Sequence, residues 1–431
     1  MAAKEYSLVL DLVDSAEVRS DEPSRGSAKA ADRFRSDDLP LAIDLDGTVI
    51  ATDLLWESLR LLLKKNPCAL LRLPFWLLRG RAFLKQEVAR RVTLDAKNLP
   101  YNEEFLEFLR QERARGRILI LTTASDRSLA RTVADHLGIF TDVLASDGER
   151  NLKGAVKRKV LQERFGERGF DYAGNSRADL EIWPHSHAAI LVNAAERVVQ
   201  EAESTARVTG RFIQKRKRFA ALLRALRVRH WIKNSLVFVP LCAAQELEKY
   251  DLVLKALYAF AAFSLVASSV YVFNDLCDLD HDRRHHQKRQ RPFASGALSI
   301  ADGLVLNLVL LVAAGSVCLL LPAEFFWILG AYVILNVAYS LYLKRVLLLD
   351  VIMLAIFYSL RVIAGGVATE IVASDWLLVF STFIFLSLAF AKRVSELQTL
   401  RANHQDQSGG RGYLETDLEQ LASCLANPAS A

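Results

Sequence analysis

The sequence predicts a multidomain protein: a soluble α/β domain built on a parallel sheet, then an all-α helical bundle in a membrane. Three observations carry this reading. Short apolar strand candidates alternate with helical stretches between residues 40 and 195, the pattern of a parallel sheet covered on both faces. Apolar runs near the roughly 20 residues that span a bilayer as a helix dominate residues 231–395. A cluster of carboxylates, NDLCDLDHDRR (274–284), ends one of these runs.

Taken in order, residues 1–38 are polar and rich in Ser, Asp and Arg, a composition that predicts a disordered tail. The soluble domain covers 39–195. Its strands are expected at 41–46, 117–123, 142–146, 170–174 and 188–193, with helices at 101–115, 127–137 and 153–165. Residues 54–92 interrupt the alternation with a helical insert containing PCALLRLPFWLLRG. Its apolar run is too short to span a bilayer and reads as the core of a cap. A basic, helix-favouring linker is expected over 196–230, and six spans at 233–246, 252–274, 301–322, 324–343, 347–368 and 376–391. A polar tail follows over 396–431.

The formal charge of +6 does not point to nucleic acid, because the bases sit beside the apolar segments, in RFIQKRKRFAALLRALRVRHWIKN and after residue 282. Juxtamembrane bases fit the positive-inside rule and contact with anionic lipid. The loops ELEKYD, PAE and TEIVASD are poor in bases. The bias therefore puts the soluble domain and the carboxylate cluster on the cytoplasmic side of the plasma (inner) membrane. The N-terminus has acids in its short apolar run and no basic leader, so it does not read as a signal peptide. Five cysteines without CxxC spacing suggest neither a disulfide framework nor a zinc site.

LAIDLDGTVI ends an apolar strand with Asp44 and Asp46 and turns on Gly47. Two carboxylates at the C-terminal edge of a parallel sheet stand where such sheets place their sites. They can hold Mg²⁺ while one attacks phosphorus and the other protonates the leaving group. This segment resembles the haloacid dehalogenase superfamily, and later motifs follow in the right order. The resemblance implies a Rossmann-like α/β fold with a helical cap, Asp44 as nucleophile and Asp46 as general acid and base. Thr123 (Thr122 as alternative) would hold the phosphoryl group and Lys153 (Lys157 as alternative) would neutralise it, while Asp179 in YAGNSRADLEIW would be a metal ligand. Asn175 stands where many members carry another Asp, which removes one negative charge.

In the membrane part, Asp275, Asp278 and Asp282 recur at spacings of three and four, on one helical face beside Asn274. Intramembrane acids are costly and mark function by default. A salt-bridged helix end, with Arg283, Arg284, Lys288, Arg289 and Arg291 close, is the alternative reading, and mutual repulsion among the acids weighs against it. NDLCDLDHD fits NDxxDxxxD and so resembles the first aspartate-rich motif of the UbiA-type polyprenyl transferases; RPFASGALS supports it. The resemblance implies Mg²⁺ held by Asn274, Asp275, Asp278 and Asp282, binding a diphosphate. LRVRHWIKNSLVFVPL and AYSLYLKRVLLLDVIMLAIFYSLRVIAGGVA resemble the decaprenyl-phosphate phosphoribosyltransferase branch. That resemblance implies substrate contacts from Lys233, Asn234, Arg291, Tyr339, Lys344, Asp350 and Arg361. A second DxxxD, common in aromatic-acceptor enzymes, is incomplete: Leu354 stands four residues after Asp350.

Together the resemblances imply transfer of phosphoribose from phosphoribosyl pyrophosphate to a polyprenyl phosphate, and a fused phosphatase that removes the 5-phosphate for cell-wall biogenesis. Two alternatives stay open: an aromatic prenyltransferase using prenyl diphosphate, and a membrane-tethered phosphatase with an inactive transferase. Family members usually have more spans than these six, so a truncated bundle, or one completed by another copy in a homo-oligomer, is expected.

Overall fold

The computed structural model of the protein describes residues 39–214, 218–343 and 346–402. The expected tails, 1–38 and the end beyond 402, and Lys344 lie outside the described residues. The soluble part begins with β1 (Leu41–Ile43). Its side chains alternate between two cores: Leu41 and Ile43 pack with Leu106, Leu109 and Val133, whereas Ala42 packs with Leu161, Tyr172 and Trp183. Burial on both faces is what a central strand of a parallel sheet requires.

The insert follows as α1 (Leu54–Lys65), a 3-10 turn at Pro67–Arg72, α2 (Leu73–Leu78) and α3 (Arg81–Ala89). Asp53 caps α1 by accepting from the Leu55 N–H at 2.8 Å. Leu62, Ala69, Trp76 and Val88 form a small core of its own. The expectation that the apolar insert run is cap core holds for one face only, because Leu71, Phe75, Leu77 and Leu78 are exposed, Leu78 by 85%.

After the insert come α4 (Glu103–Ala114), β2 (Leu119–Asp126), α5 (Arg127–Leu137), β3 (Asp142–Ser146), α6 (Ala155–Phe165), β4 (Asp171–Gly174) and β5 (Ala189–Val192). The segment expected as a linker instead supplies α7 (Glu196–Thr205), with Val198 and Ala202 buried, and a sixth strand, β6 (Val208–Phe212). All strand pairs are parallel, in the order β3-β2-β1-β4-β5-β6. VTGRF hides its strand character because Gly and Arg are weak strand signals, tolerated here on a sheet edge.

The membrane part opens with α8 (Arg218–Leu226), a 3-10 stretch at Val228–Phe238 and the short α9 (Val239–Ala243). The expected first span at 233–246 is therefore not a continuous helix. Pro240 lies at the start of α9 and Gln245 takes a left-handed backbone (φ 58°) that ends it. The 3-10 stretch packs closely on a later helix: a Cβ on Gly365 would meet the Val237 carbonyl at 1.9 Å. Then come α10 (Tyr250–Cys277), α11 (Leu279–Arg284), α12 (Ile300–Cys318), α13 (Ala323–Leu341), α14 (Leu347–Thr369) and α15 (Asp375–Ala402). Among the described residues, five helices are long and apolar enough to cross a membrane, against six expected. The apolar windows of α10 and α14 are 61% and 56% buried and those of α12 and α15 only 22%, so α10 and α14 are the inner helices and α12 and α15 lie on the outside of the bundle.

Candidate active sites

The hydrolase site lies at the C-terminal edge of the sheet, where the chain leaves β1. The Asp44 N–H is held by the Ala173 carbonyl at 2.9 Å. Gly47 turns the chain at φ +81°, and a Cβ there would lie 1.9 Å from Asn175 Nδ2, so only glycine fits. Asp46 accepts at Oδ1 from the Leu54 N–H (2.8 Å), the first residue of the insert. At Oδ2 it accepts from Ser125 Oγ (2.7 Å) and Thr123 Oγ1 (3.2 Å). Thr123 is thus the threonine in the site; Thr122 offers only its carbonyl, which accepts from Lys157.

Of the two lysines, Lys157 is the one brought to Asp44. It is buried on α6 and donates to Asp44 Oδ1 (2.6 Å), the Thr122 carbonyl (3.0 Å) and Tyr172 Oη (3.0 Å). Lys153 precedes the helix and is exposed. The Tyr172 hydroxyl in turn donates to Asp179 Oδ1 at 2.8 Å, and the Asn175 N–H, Ser176 N–H and Ser176 Oγ all donate to Asp179 Oδ2. Asp179, expected as a metal ligand, thus accepts from Tyr172 at one oxygen and from its own loop at the other. From the insert, Lys85 reaches the site's edge and donates to the Ala124 carbonyl at 2.5 Å.

Burial pushes the Asp44 carboxyl up to about 7; Asp179 and Asp46 add to this and Lys157 opposes it. Burial, with Asp53 nearby, raises Asp46 to about 6 against the hydrogen bonds from Ser125 and Leu54. A cation would relieve that strain. The Oδ1 atom of Asn175 is buried without a hydrogen-bond partner. With Asp44 and Asp46 it makes an all-oxygen donor set of the kind Mg²⁺ takes. The residues present therefore fit the ion, although among the described residues no three His, Cys, Asp or Glu side chains converge on one point.

The second site is a polar cavity of about 260 Å³ at the end of α10. Asn274, Asp275, Asp278 and Asp282 all line it, as their helical spacing predicts, although the helix breaks at Asp278 and restarts as α11. Facing them are Arg227, Lys233, Lys288 and Arg291. Arg227 pairs with Asp275, and Arg291 bridges Asp275 (3.1 Å) and Asp282 (2.6 Å). Arg227 sits in the left-handed region at φ 50°, uncommon for a side chain of its size, to bring its guanidinium there. Burial and the Lys288 charge lower the His281 imidazole below its ordinary value. The donors fit Mg²⁺ by chemistry, with the arginines now standing against two of the carboxylates.

Asp280, two residues from Asp278 and Asp282, points away from this cavity to the hydrolase insert. Arg60 donates to it at 2.5 and 3.0 Å. Burial opposes its ionisation, yet the Arg60 hydrogen bonds and charge, with Lys64 and Arg283, hold Asp280 below the usual carboxylate range. Arg283 similarly reaches Glu57 of α1 at 2.5 Å, both side chains buried.

The remaining expected contacts divide. Lys233, Arg291 and Tyr339 line the polar cavity. Asp350 does not: it is buried, accepts from Tyr339 Oη at 2.5 Å and is gripped by Arg393. Arg361 and Asn234 hold each other (2.8 Å), with Arg361 also on Tyr332 Oη (2.9 Å) and among three aromatic rings. The sequence reading missed Arg227, His230, Ser340 and Lys392 in the cavity, and Ser125, Tyr172 and Lys85 in the hydrolase site. For Arg227, its place in a basic run beside a span was a misleading signal.

Comparison with known proteins agrees with both halves. Residues 235–407 match the UbiA prenyltransferase family and residues 41–182 the haloacid dehalogenase-like hydrolases. The Sinorhizobium fredii protein y4nM is 40% identical over 383 residues, 88% of this chain and 73% of that protein. The nodulation protein NoeC of Azorhizobium caulinodans is 42% identical over 206 residues, 47% of this chain and 66% of NoeC. The decaprenyl-phosphate phosphoribosyltransferase of Mycolicibacterium smegmatis is 37% identical over 185 residues, 42% of this chain and 58% of that enzyme. The chain is thus an integral membrane enzyme that belongs to the UbiA prenyltransferase family and carries a haloacid dehalogenase-like hydrolase domain on the same polypeptide.

Proposed function

We propose that the membrane domain transfers phosphoribose from phosphoribosyl pyrophosphate to a polyprenyl phosphate. A lipid phosphate oxygen attacks C1 of the ribose, the C1–O bond to diphosphate breaks, and diphosphate leaves. The observation that carries this reading is the polar cavity itself, where carboxylates and bases alternate at the end of a central membrane helix. Both reactants are phosphorylated, so a site for them needs a cation platform and further positive charge: Asn274, Asp275, Asp278 and Asp282 would hold Mg²⁺, and Arg227, Lys233 and Arg291 would face the phosphates. When bound, Mg²⁺ neutralises the diphosphate as it departs. Similarity to the phosphoribosyltransferases and the incomplete second acidic motif at Leu354 support the same donor.

In the hydrolase domain, Asp44 would attack the 5-phosphate of the lipid-linked ribose while Asp46 protonates the leaving oxygen. An acid that holds its proton near pH 6 suits that role. Thr123 would hold the phosphoryl group and Lys157, with Lys153 at the rim, would neutralise it; Asp44, Asp46 and Asn175 would carry its Mg²⁺, with Asp179 fixing the loop behind them. Tethering keeps the second site near the first product. The juxtamembrane bases support a position of both sites on the cytoplasmic side of the inner membrane.

The test uses membranes containing the protein, Mg²⁺, labelled phosphoribosyl pyrophosphate and polyprenyl phosphate, with label followed into the lipid phase. Lipid-phase label from the unmodified protein, and at most about a tenth of it from Asp278→Asn at a Mg²⁺ concentration limiting for the unmodified protein, is the expected result. Prenyl transfer from a prenyl diphosphate to an aromatic acceptor, with no ribosyl transfer, would replace this reading by an aromatic prenyltransferase.

A further inference from the structure

A second cavity, of about 510 Å³, adjoins the polar one, and Asp278, His281 and Ser340 line both. It lies between the hydrolase insert and the membrane helices. Trp56, Leu59, Leu63 and Leu70 form one wall, and Phe273 and Leu276 of α10 stand in the other. Its size falls in the roughly 300–1,000 Å³ of ligand pockets, and an apolar lining with polar groups at one end is their usual chemistry. The wall is fixed by the ion pairs Glu57–Arg283 and Arg60–Asp280, whose Glu57, Arg60 and Arg283 side chains are buried. Removing one partner of a buried pair is costly, so this docking is not a loose contact.

The insert also carries a feature that a cap over a soluble substrate would not need. Leu71, Phe75 and Leu78 are exposed beside exposed Arg72, Arg79 and Arg81. Apolar side chains flanked by arginines suit the boundary between headgroups and acyl chains of a bilayer. The insert is therefore built to lie against lipid at the mouth of the membrane domain.

We propose that this cavity binds the first isoprenoid units of the polyprenyl phosphate, with the hydrolase insert as one wall. The lipid phosphate then sits at the rim formed by Asp278, His281 and Ser340, turned into the polar cavity. The proposal rests on the reading of polyprenyl phosphate as acceptor, and it makes the hydrolase insert part of the transferase's lipid site. Leu59, Leu63 and Leu70 become specificity residues for the chain, Leu59 and Leu70 while also packing against the insert's own core.

The experiment uses the full chain in membranes and a polyprenyl phosphate carrying a benzophenone on an isoprenoid unit near the phosphate. After irradiation, adducts are mapped by peptide. Adducts on the α1 and 59–73 peptides, suppressed by excess unmodified polyprenyl phosphate, are expected. A Leu63→Trp variant fills the cavity and should raise KM for polyprenyl phosphate about tenfold, the scale of a poorly fitting apolar pocket, with KM for the ribosyl donor unchanged. Hydrolysis of 4-nitrophenyl phosphate by the same variant reports that the insert is folded. Competable adducts confined to α10, α12 and α13, or an unchanged lipid KM in folded Leu63→Trp, would overturn the proposal. Absence of competable adducts anywhere would overturn the lipid-phosphate reading itself, and the cavity assignment with it.

Discussion

The two sites are built from the same side chains and neutralised in opposite ways. In the hydrolase, Asp44 and Asp46 sit at a sheet edge with one buried lysine, Lys157, and a set of neutral donors, Ser125, Thr123 and the Leu54 N–H. Negative charge is in excess, so burial lifts both carboxyls toward neutrality. In the membrane cavity, Asp275 and Asp282 are matched by Arg227 and Arg291, which come from outside the helix that carries Asp275. The first site sets one buried lysine against its two carboxylates. The second is compensated by the long side chains of Arg227 and Arg291. A sheet edge can preorganise charge, whereas the end of a membrane helix must keep its acids paired until they are used.

The largest effect that would sharpen this contrast is on the proposed hydrolase nucleophile. Asp44→Asn should cut phosphate release by more than about a thousandfold, the scale on which a covalent nucleophile is lost, while transfer to lipid continues. Phosphate release and lipid label measured on one preparation check both halves, and parallel loss of the two would mean that the sites are not separate. Next in size is the buried pair Arg393–Asp350, with side chains 1% and 0% exposed. Arg393→Ala leaves Asp350 uncompensated and should cost about 3–5 kcal/mol of stability, read as a drop in Tm of the membrane domain. If Tm holds and only KM for the donor rises, Asp350 belongs to substrate after all. Smaller again, Asp278→Asn keeps an oxygen donor but removes one charge from the proposed Mg²⁺ site, and it should reduce Mg²⁺ affinity in the transferase by at least the roughly 10–100-fold that disturbing a metal's supporting shell costs. Mg²⁺ titration of the transfer reaction measures it, with the hydrolase's Mg²⁺ dependence as an internal standard.

What the sequence made legible was local. Asp44, Asp46 and Gly47 form one turn after one strand, and Asn274 to Asp282 one helical stripe, so spacing alone placed them. Choices set by distant packing were not legible. Lys153 and Lys157 share one segment, and only the face of α6 laid on the sheet decides that Lys157 is buried against Asp44. Asp350 and Arg393 lie 43 residues apart and meet because α14 and α15 pack side by side. Asp280 lies in the same acidic segment but off the stripe of Asp275, Asp278 and Asp282, and it turns to Arg60, 220 positions earlier in the chain. The strand at 208–212 was hidden by Gly210 and Arg211, and the apolar run around Pro240 read as a span although the chain there forms a 3-10 stretch and a short helix.

The smallest expected effect follows from the excess charge in the hydrolase. Asp44 and Asp46 are raised in the folded protein, to about 7 and about 6, from an ordinary value near 3.8. A raised carboxyl binds its proton more tightly when folded, so its contribution to stability is present at low pH and is lost as pH rises from about 4 through the folded values. Without Mg²⁺, the hydrolase domain should therefore lose stability between about pH 4 and pH 7. Mg²⁺ binds the ionised pair, so the Tm gain on adding it should be small at pH 5 and grow to its plateau above pH 7. Asp44→Asn removes the higher of the two titrations and should flatten the metal-free curve above pH 6. A Tm gain equal at pH 5 and pH 8 would mean that the pair is already ionised without the metal. The contrast would then lie in geometry and not in charge, since the hydrolase carboxylates would be as well compensated as those facing Arg227 and Arg291.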